Sequence, residues 1–191
     1  MNLSVEDYIA DAKSFQRYGE HETAIDLLIT ARQLDHDKKN EVEIEKLLCF
    51  NYRKLQDCDL ALFHINNAIN AVSRKPESKE TKNEYAICLM NKGVVYEEQN
   101  DIEKAMLCYS SALEVFLMLY GSDSNNHGII INALFTIGTL CYEQNKYKEA
   151  KRYLSEAILY FDHSQIESDR RYQAIIQMLN QLDREEKDES E

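Results

Sequence analysis

The chain has 191 residues, with 22 Lys and Arg against 34 Asp and Glu, and only five Gly and one Pro. So few helix breakers exclude a barrel or sandwich built on tight turns, and 44% apolar residues exclude a wholly disordered chain. A formal charge of −12 argues against binding to nucleic acid, which cationic side chains drive.

The first predicted pair of helices begins near residue 5. Ala12 and Phe15 lie one turn apart, Gly19-Glu20 interrupts the pattern, and Ala24, Leu28 and Ala31 resume it on one face of a second helix. The second pair repeats the arrangement with Cys49, Tyr52, Gln56-Asp57, Ala61, Ile65 and Ala68. The third carries Gly93, Tyr96, Asn100-Asp101, Ala105, Tyr109 and Ala112. The fourth carries Gly138, Cys141, Asn145-Lys146, Ala150, Leu154 and Ala157.

In every copy a small residue stands twelve before a central Ala, and a second Ala stands seven after it. Eight of the 14 Ala fall in these two columns, so composition alone does not account for them. Small side chains at these points let the two helices of a pair approach closely. A bulky residue there would cost about 1–3 kcal/mol in overpacking.

The central Ala residues are 37, 44 and 45 positions apart. The extra length falls in the polar stretches 73–83 and 121–128, expected as surface connections that also lengthen the flanking helices. Beyond the fourth pair, Tyr172, Ile175, Ile176, Leu179 and Leu182 are spaced as a further helix. Residues 183–191 hold six acids against two bases, which leaves about −8 for the rest of the chain and favours solubility.

This pattern resembles the tetratricopeptide repeat (TPR) family, in a long-spacing variety similar to the repeats of kinesin light chains. Ala12 and Cys49 replace the usual glycine, and both are small. The resemblance implies an all-α fold, a right-handed TPR solenoid of about four helical hairpins plus a C-terminal capping helix. Repeats are expected over 5–38, 42–75, 86–119 and 131–164, the cap over 165–187, and a frayed acidic tail over 188–191, with 1–187 as a single array. The cap would cover the apolar face that a stacked array leaves at its end.

Signals for chemistry are missing. The chain contains no glycine-rich phosphate loop, and its histidines (21, 36, 64, 127, 163) make no zinc motif with one another or with Cys. Cys49 and Cys141 occupy packing positions, so neither reads as a nucleophile. No catalytic residue, cofactor or metal is expected, and the chain reads as a non-enzyme. The five cysteines form no C-x-x-C, the first residues (MNLSVED) have no leader-like apolar stretch, and no run is long enough to cross a bilayer. A cytoplasmic or nucleocytoplasmic protein is expected, neither secreted nor membrane-bound.

In such arrays the first helix of each pair lines the concave face, where partners bind. Counting from the small column places Ile9, Lys13, Gln16 and Arg17, then Lys46, Phe50, Arg53 and Lys54 on that face. Ile87, Met90, Val94, Glu97 and Glu98 follow, then Phe135, Thr139, Tyr142 and Glu143. Five cations cluster in the first two repeats of an acidic chain, and apolar side chains occupy the middle. The expected partner-binding groove is therefore Lys13, Arg17, Lys46, Phe50, Arg53, Lys54, Ile87, Met90, Asn91, Val94, Phe135 and Tyr142. Its expected ligand is a peptide segment of another protein, acidic at one end and apolar at the other.

The carboxylate clamp of TPR proteins that hold chaperone C-termini is matched at only two of five positions, Lys46 and Asn91. A chaperone partner is not expected. The alternative is a sensor of short signalling peptides, similar to bacterial TPR receptors. Self-association through an incompletely capped end is a further possibility.

Overall fold

Ser4 starts the first helix with a reciprocal pair of hydrogen bonds. Its hydroxyl accepts the Asp7 N–H at 3.2 Å, while Asp7 Oδ2 accepts the Ser4 N–H at 2.9 Å. The computed structural model describes residues 3–161 and 169–188, and the regular structure among them is helical throughout. The helices are α1 (Val5–Arg17), α2 (His21–Leu34), α3 (Glu41–Lys54), α4 (Cys58–Ser73) and α5 (Lys79–Glu98). They continue with α6 (Ile102–Tyr120), a 3₁₀ turn (Ser124–Asn126), α7 (His127–Glu143), α8 (Tyr147–Ile158) and α9 (Arg170–Asp188). The end of the expected fourth repeat (162–164), the start of the expected cap (165–168) and tail residues 189–191 lie outside the described residues.

The chain divides within α6, after Cys108, into two compact units. In the first unit α1 pairs with α2 and α3 with α4, while α2 packs on α3 and α4 on α5. In the second unit α7 pairs with α8, and α9 packs on α8.

The four turns between first and second helices share one geometry. Gly19 (φ 80°), Gln56 (φ 63°), Asn100 (φ 60°) and Asn145 (φ 57°) are left-handed, each five residues before a central Ala. The next residue's N–H then reaches back to close the preceding helix. Glu20 donates to Phe15 O at 3.0 Å, Asp57 to Tyr52 O at 3.0 Å, Asp101 to Tyr96 O at 2.8 Å and Lys146 to Cys141 O at 2.9 Å. Gly and Asn adopt this conformation readily, whereas Gln56 holds it against a steric cost.

All eight Ala of the two columns are wholly buried, at 0% exposure. The small column is buried as well, at Ala12, Cys49, Gly93 and Gly138. The long step into the third repeat is mostly helix. α4 runs through Ser73 and α5 begins at Lys79, so only 74–78 connect them. Ser78 and Thr81 form the same reciprocal cap as Ser4 and Asp7.

The core of the first unit also contains polar groups with satisfied bonds. Glu45 is buried and accepts from His64 Nδ1 at 2.7 Å, from Asn67 at 3.3 Å and from Arg32 at 3.4 Å. The His64 ring stacks on Tyr52 with centroids 5.1 Å apart. Buried Asn51 donates to Leu47 O at 2.8 Å and Gln16 Oε1 at 3.3 Å, and accepts from His21 Nδ1 at 2.9 Å. These bonds fix α3 against α1, α2 and α4.

Candidate functional site

Helical spacing on α3 brings Glu43, Lys46, Leu47 and Phe50 to one face, and on α5 it does the same for Glu84, Ile87 and Asn91. With Gln16 from α1, these residues surround a cavity of about 420 Å³ in the first unit. Its apolar surface comes from Leu47, Phe50 and Ile87. The polar groups around it are the carboxamides of Gln16 and Asn91 and the charges of Glu43, Lys46 and Glu84.

Five of the residues singled out in the sequence meet here: Gln16, Lys46, Phe50, Ile87 and Asn91. Arg53 and Lys54 sit one turn further along α3 and flank Phe50, with their charged groups 5.3 and 5.6 Å from its ring centroid. They line a second cavity of about 570 Å³ with Gln56, Cys58 and Glu98. Met90 and Val94 are half-buried on α5 and line neither cavity. Ile9, counted onto the same face, is core at 5% exposure.

Most of the clustered cations have carboxylate partners on a neighbouring first helix. Lys13 pairs with Glu43, Lys46 with Glu84 at 3.4 Å, and Arg53 with Glu98 at 2.7 Å. Glu84 also takes Lys75 at 3.1 Å. Arg17 donates to the Lys13 carbonyl at 3.2 Å. The face is therefore amphipathic, with two cations and one carboxylate around the second cavity. Counting from the small column missed Glu43, Leu47 and Glu84. Helical steps of three and four from Lys46 and Phe50 were the available signal for the first two.

Phe135 and Tyr142 belong to α7 in the second unit. Phe135 is half-buried. The Tyr142 hydroxyl donates to Glu185 Oε1 at 3.1 Å and accepts from Gln181, so it joins α7 to α9.

Burial pushes the Cys49 thiol up to about 12 and the Cys88 thiol up to about 11, so both stay protonated. Among the described residues no group of three or more His, Cys, Asp or Glu is placed to hold a metal ion. No described helix is long and apolar enough to cross a membrane.

Paired helices, buried Ala columns and a repeated left-handed turn define a TPR-type fold, and solved structures agree. RapI in its apo form superposes with a TM-score of 0.78 at 17% identity, over 97% of this chain and 65% of that one. The apo form of the quorum sensor NprR from B. thuringiensis gives 0.70 at 18% identity, over 93% and 47%. The Rap conjugation gene regulator of plasmid pLS20, in complex with the Phr* peptide, gives 0.68 at 15% identity, over 93% and 47%. The chain thus spans less than two thirds of each of these proteins. A family model covers residues 11–185, and the chain belongs to that family, described as an uncharacterized protein conserved in bacteria (DUF2225). No curated protein matches it in sequence.

Proposed function

We propose that this protein is a non-enzymatic TPR adaptor that captures a peptide segment of another protein on the α1–α3–α5 face of its first unit. The observation that carries this reading is the first cavity. Leu47, Phe50 and Ile87 are half-buried and border open space there, and carboxamides and charges surround them. An apolar side chain entering the cavity would bury area that water now covers, while Gln16 and Asn91 offer hydrogen bonds to a peptide main chain. Arg53 and Lys54 suit an acidic group beside the apolar contact. We extend the binding surface to Lys13, Arg17, Met90 and Val94 along the same helices, and assign Phe135 and Tyr142 a partner-binding role on α7 of the second unit. Five free cysteines support a cytoplasmic setting.

A second reading, a sensor of a short signalling peptide, is favoured by the likeness to NprR and to the Rap regulator in complex with the Phr* peptide. The readings differ in consequence. A sensor changes shape when its peptide binds, so its radius of gyration by small-angle scattering shifts, whereas an adaptor's does not.

Selecting a random dodecapeptide library on the wild-type chain and on Phe50→Ala tests the common core of both. The wild type is expected to enrich peptides with a large apolar residue, and Phe50→Ala to bind them about tenfold more weakly or worse with its helicity intact. Equal affinity for both proteins would remove the face from consideration.

A further inference from the structure

Phe50 lines the first cavity, and Arg53 and Lys54 beside it line the second; the difference in chemistry between the two describes the ligand of the peptide site proposed above, on which this inference rests. Leu47 borders the apolar cavity and Lys54 the cationic one. They stand seven positions apart on α3, an outer span of about 10 Å at roughly 1.5 Å per residue, with Phe50 and Arg53 between them. An extended peptide covers that distance in about three residues, at roughly 3.3 Å each.

The cationic cavity also holds a carboxylate of the chain's own. Glu98 lies 2.7 Å from Arg53, and its side chain is 39% exposed against 18% for Arg53. Arg53 is thus the more buried partner, with its guanidinium beside the Phe50 ring, while Glu98 is the one open to replacement from solvent. We propose that Glu98 occupies the place of a ligand carboxylate, and that the ligand is a peptide with an Asp or Glu within about three residues of a large apolar residue. The apolar side chain enters beside Phe50, the ligand carboxylate displaces Glu98 from Arg53, and Lys54 adds a second cation. Because one carboxylate replaces another, the acid supplies selectivity more than affinity, and the apolar contact supplies the holding strength.

The test uses synthetic peptides with blocked ends. Each contains one Leu and one Asp separated by one to six positions, in both orders, on a Ser background, with matched Asn peptides as controls. Retention is measured on the full chain as wild type, Glu98→Gln, Arg53→Gln and Phe50→Ala, each checked for helicity by circular dichroism. The Asp-over-Asn ratio is expected to be highest at separations of up to about three and to fall beyond them, at about two- to fivefold for an ion pair near the surface. Removing the competitor in Glu98→Gln raises that ratio further, and Arg53→Gln lowers it to what Lys54 alone sustains. A ratio that is flat with separation, or unchanged in both charge variants, overturns the displacement idea even where Phe50→Ala still abolishes Leu dependence and so preserves the peptide site. If Phe50→Ala has no effect, or no peptide is retained, the peptide site itself fails as well.

Discussion

Gly138 lies so close to Leu154 that a Cβ built on it would sit 2.8 Å from Leu154 Cγ and 2.9 Å from Cδ2. Leu154 is itself fully buried, so it has little room to retreat. The close approach of α7 and α8 in the second unit depends on that missing carbon. Gly138→Ala is expected to destabilise the second unit by about 1–3 kcal/mol, despite the better helix propensity of Ala. Denaturant titration checks this. In a Leu154→Val background the same substitution should cost less, and equal costs in both backgrounds would show that the contact does not limit packing.

Gln56 presents the opposite case. It is left-handed at φ 63°, where the equivalent turn of the first hairpin has Gly19. Gln56→Gly removes a steric cost of about 1–2 kcal/mol and adds some flexibility to the unfolded chain, for an expected net gain of roughly 0.5–1 kcal/mol. A thermal melt of the two proteins decides it. A lower melting temperature for Gln56→Gly would mean that the side chain contributes more than the turn costs.

Much of this architecture was legible in the sequence, for a simple reason. Ala24, Ala61, Ala105 and Ala150 are each wholly buried, so the requirement for a small side chain recurs in the chain as a column. The turn five residues earlier recurs for the same reason, even with Gly19, Gln56, Asn100 and Asn145 as its four residues. Contacts between neighbouring first helices leave no such mark. Lys13 and Glu43 are 30 positions apart, while Lys46 and Glu84 are 38 apart, because connection lengths differ between repeats. The cations on α1 and α3 therefore read as a basic surface, although three of them face carboxylates. Glu45 and His64 look like ordinary helix-surface residues, and only the packing of α3 on α4 buries them together.

The Glu45–His64 pair predicts how the fold responds to acid. Burial alone would raise the Glu45 pKa, but the His64 hydrogen bond and charge, with Asn67 and Arg32, hold it below its ordinary 4.5. The folded carboxyl therefore binds a proton less readily than the unfolded one. Its contribution to stability is complete above pH 4.5 and is lost as the pH falls through the lower folded value. In urea titrations between about pH 6 and pH 3, stability is expected to fall less steeply with acid in Glu45→Gln than in the wild type. Identical slopes would exclude Glu45 from the acid-sensitive groups.

The thiols give a test of burial. Cys49, Cys88, Cys108 and Cys141 are buried, and Cys58 is only partly so. Burial raises the pKa of all five, so labelling of the native chain by iodoacetamide is expected to be slow and to begin at Cys58. Unfolding in denaturant should expose the other four. Rapid native labelling of Cys49 or Cys88 by peptide mapping would contradict the packing of α3 on α5.

The claim that the α1–α3–α5 face takes a peptide is tested most directly by nuclear magnetic resonance. A selected peptide is titrated into the isotopically labelled full chain, and amide shifts are followed residue by residue. The largest changes are expected at Gln16, Lys46, Phe50, Ile87 and Asn91. Changes centred instead on the exposed Leu60 and Phe63 of α4, which do not line the cavity, would place the site elsewhere.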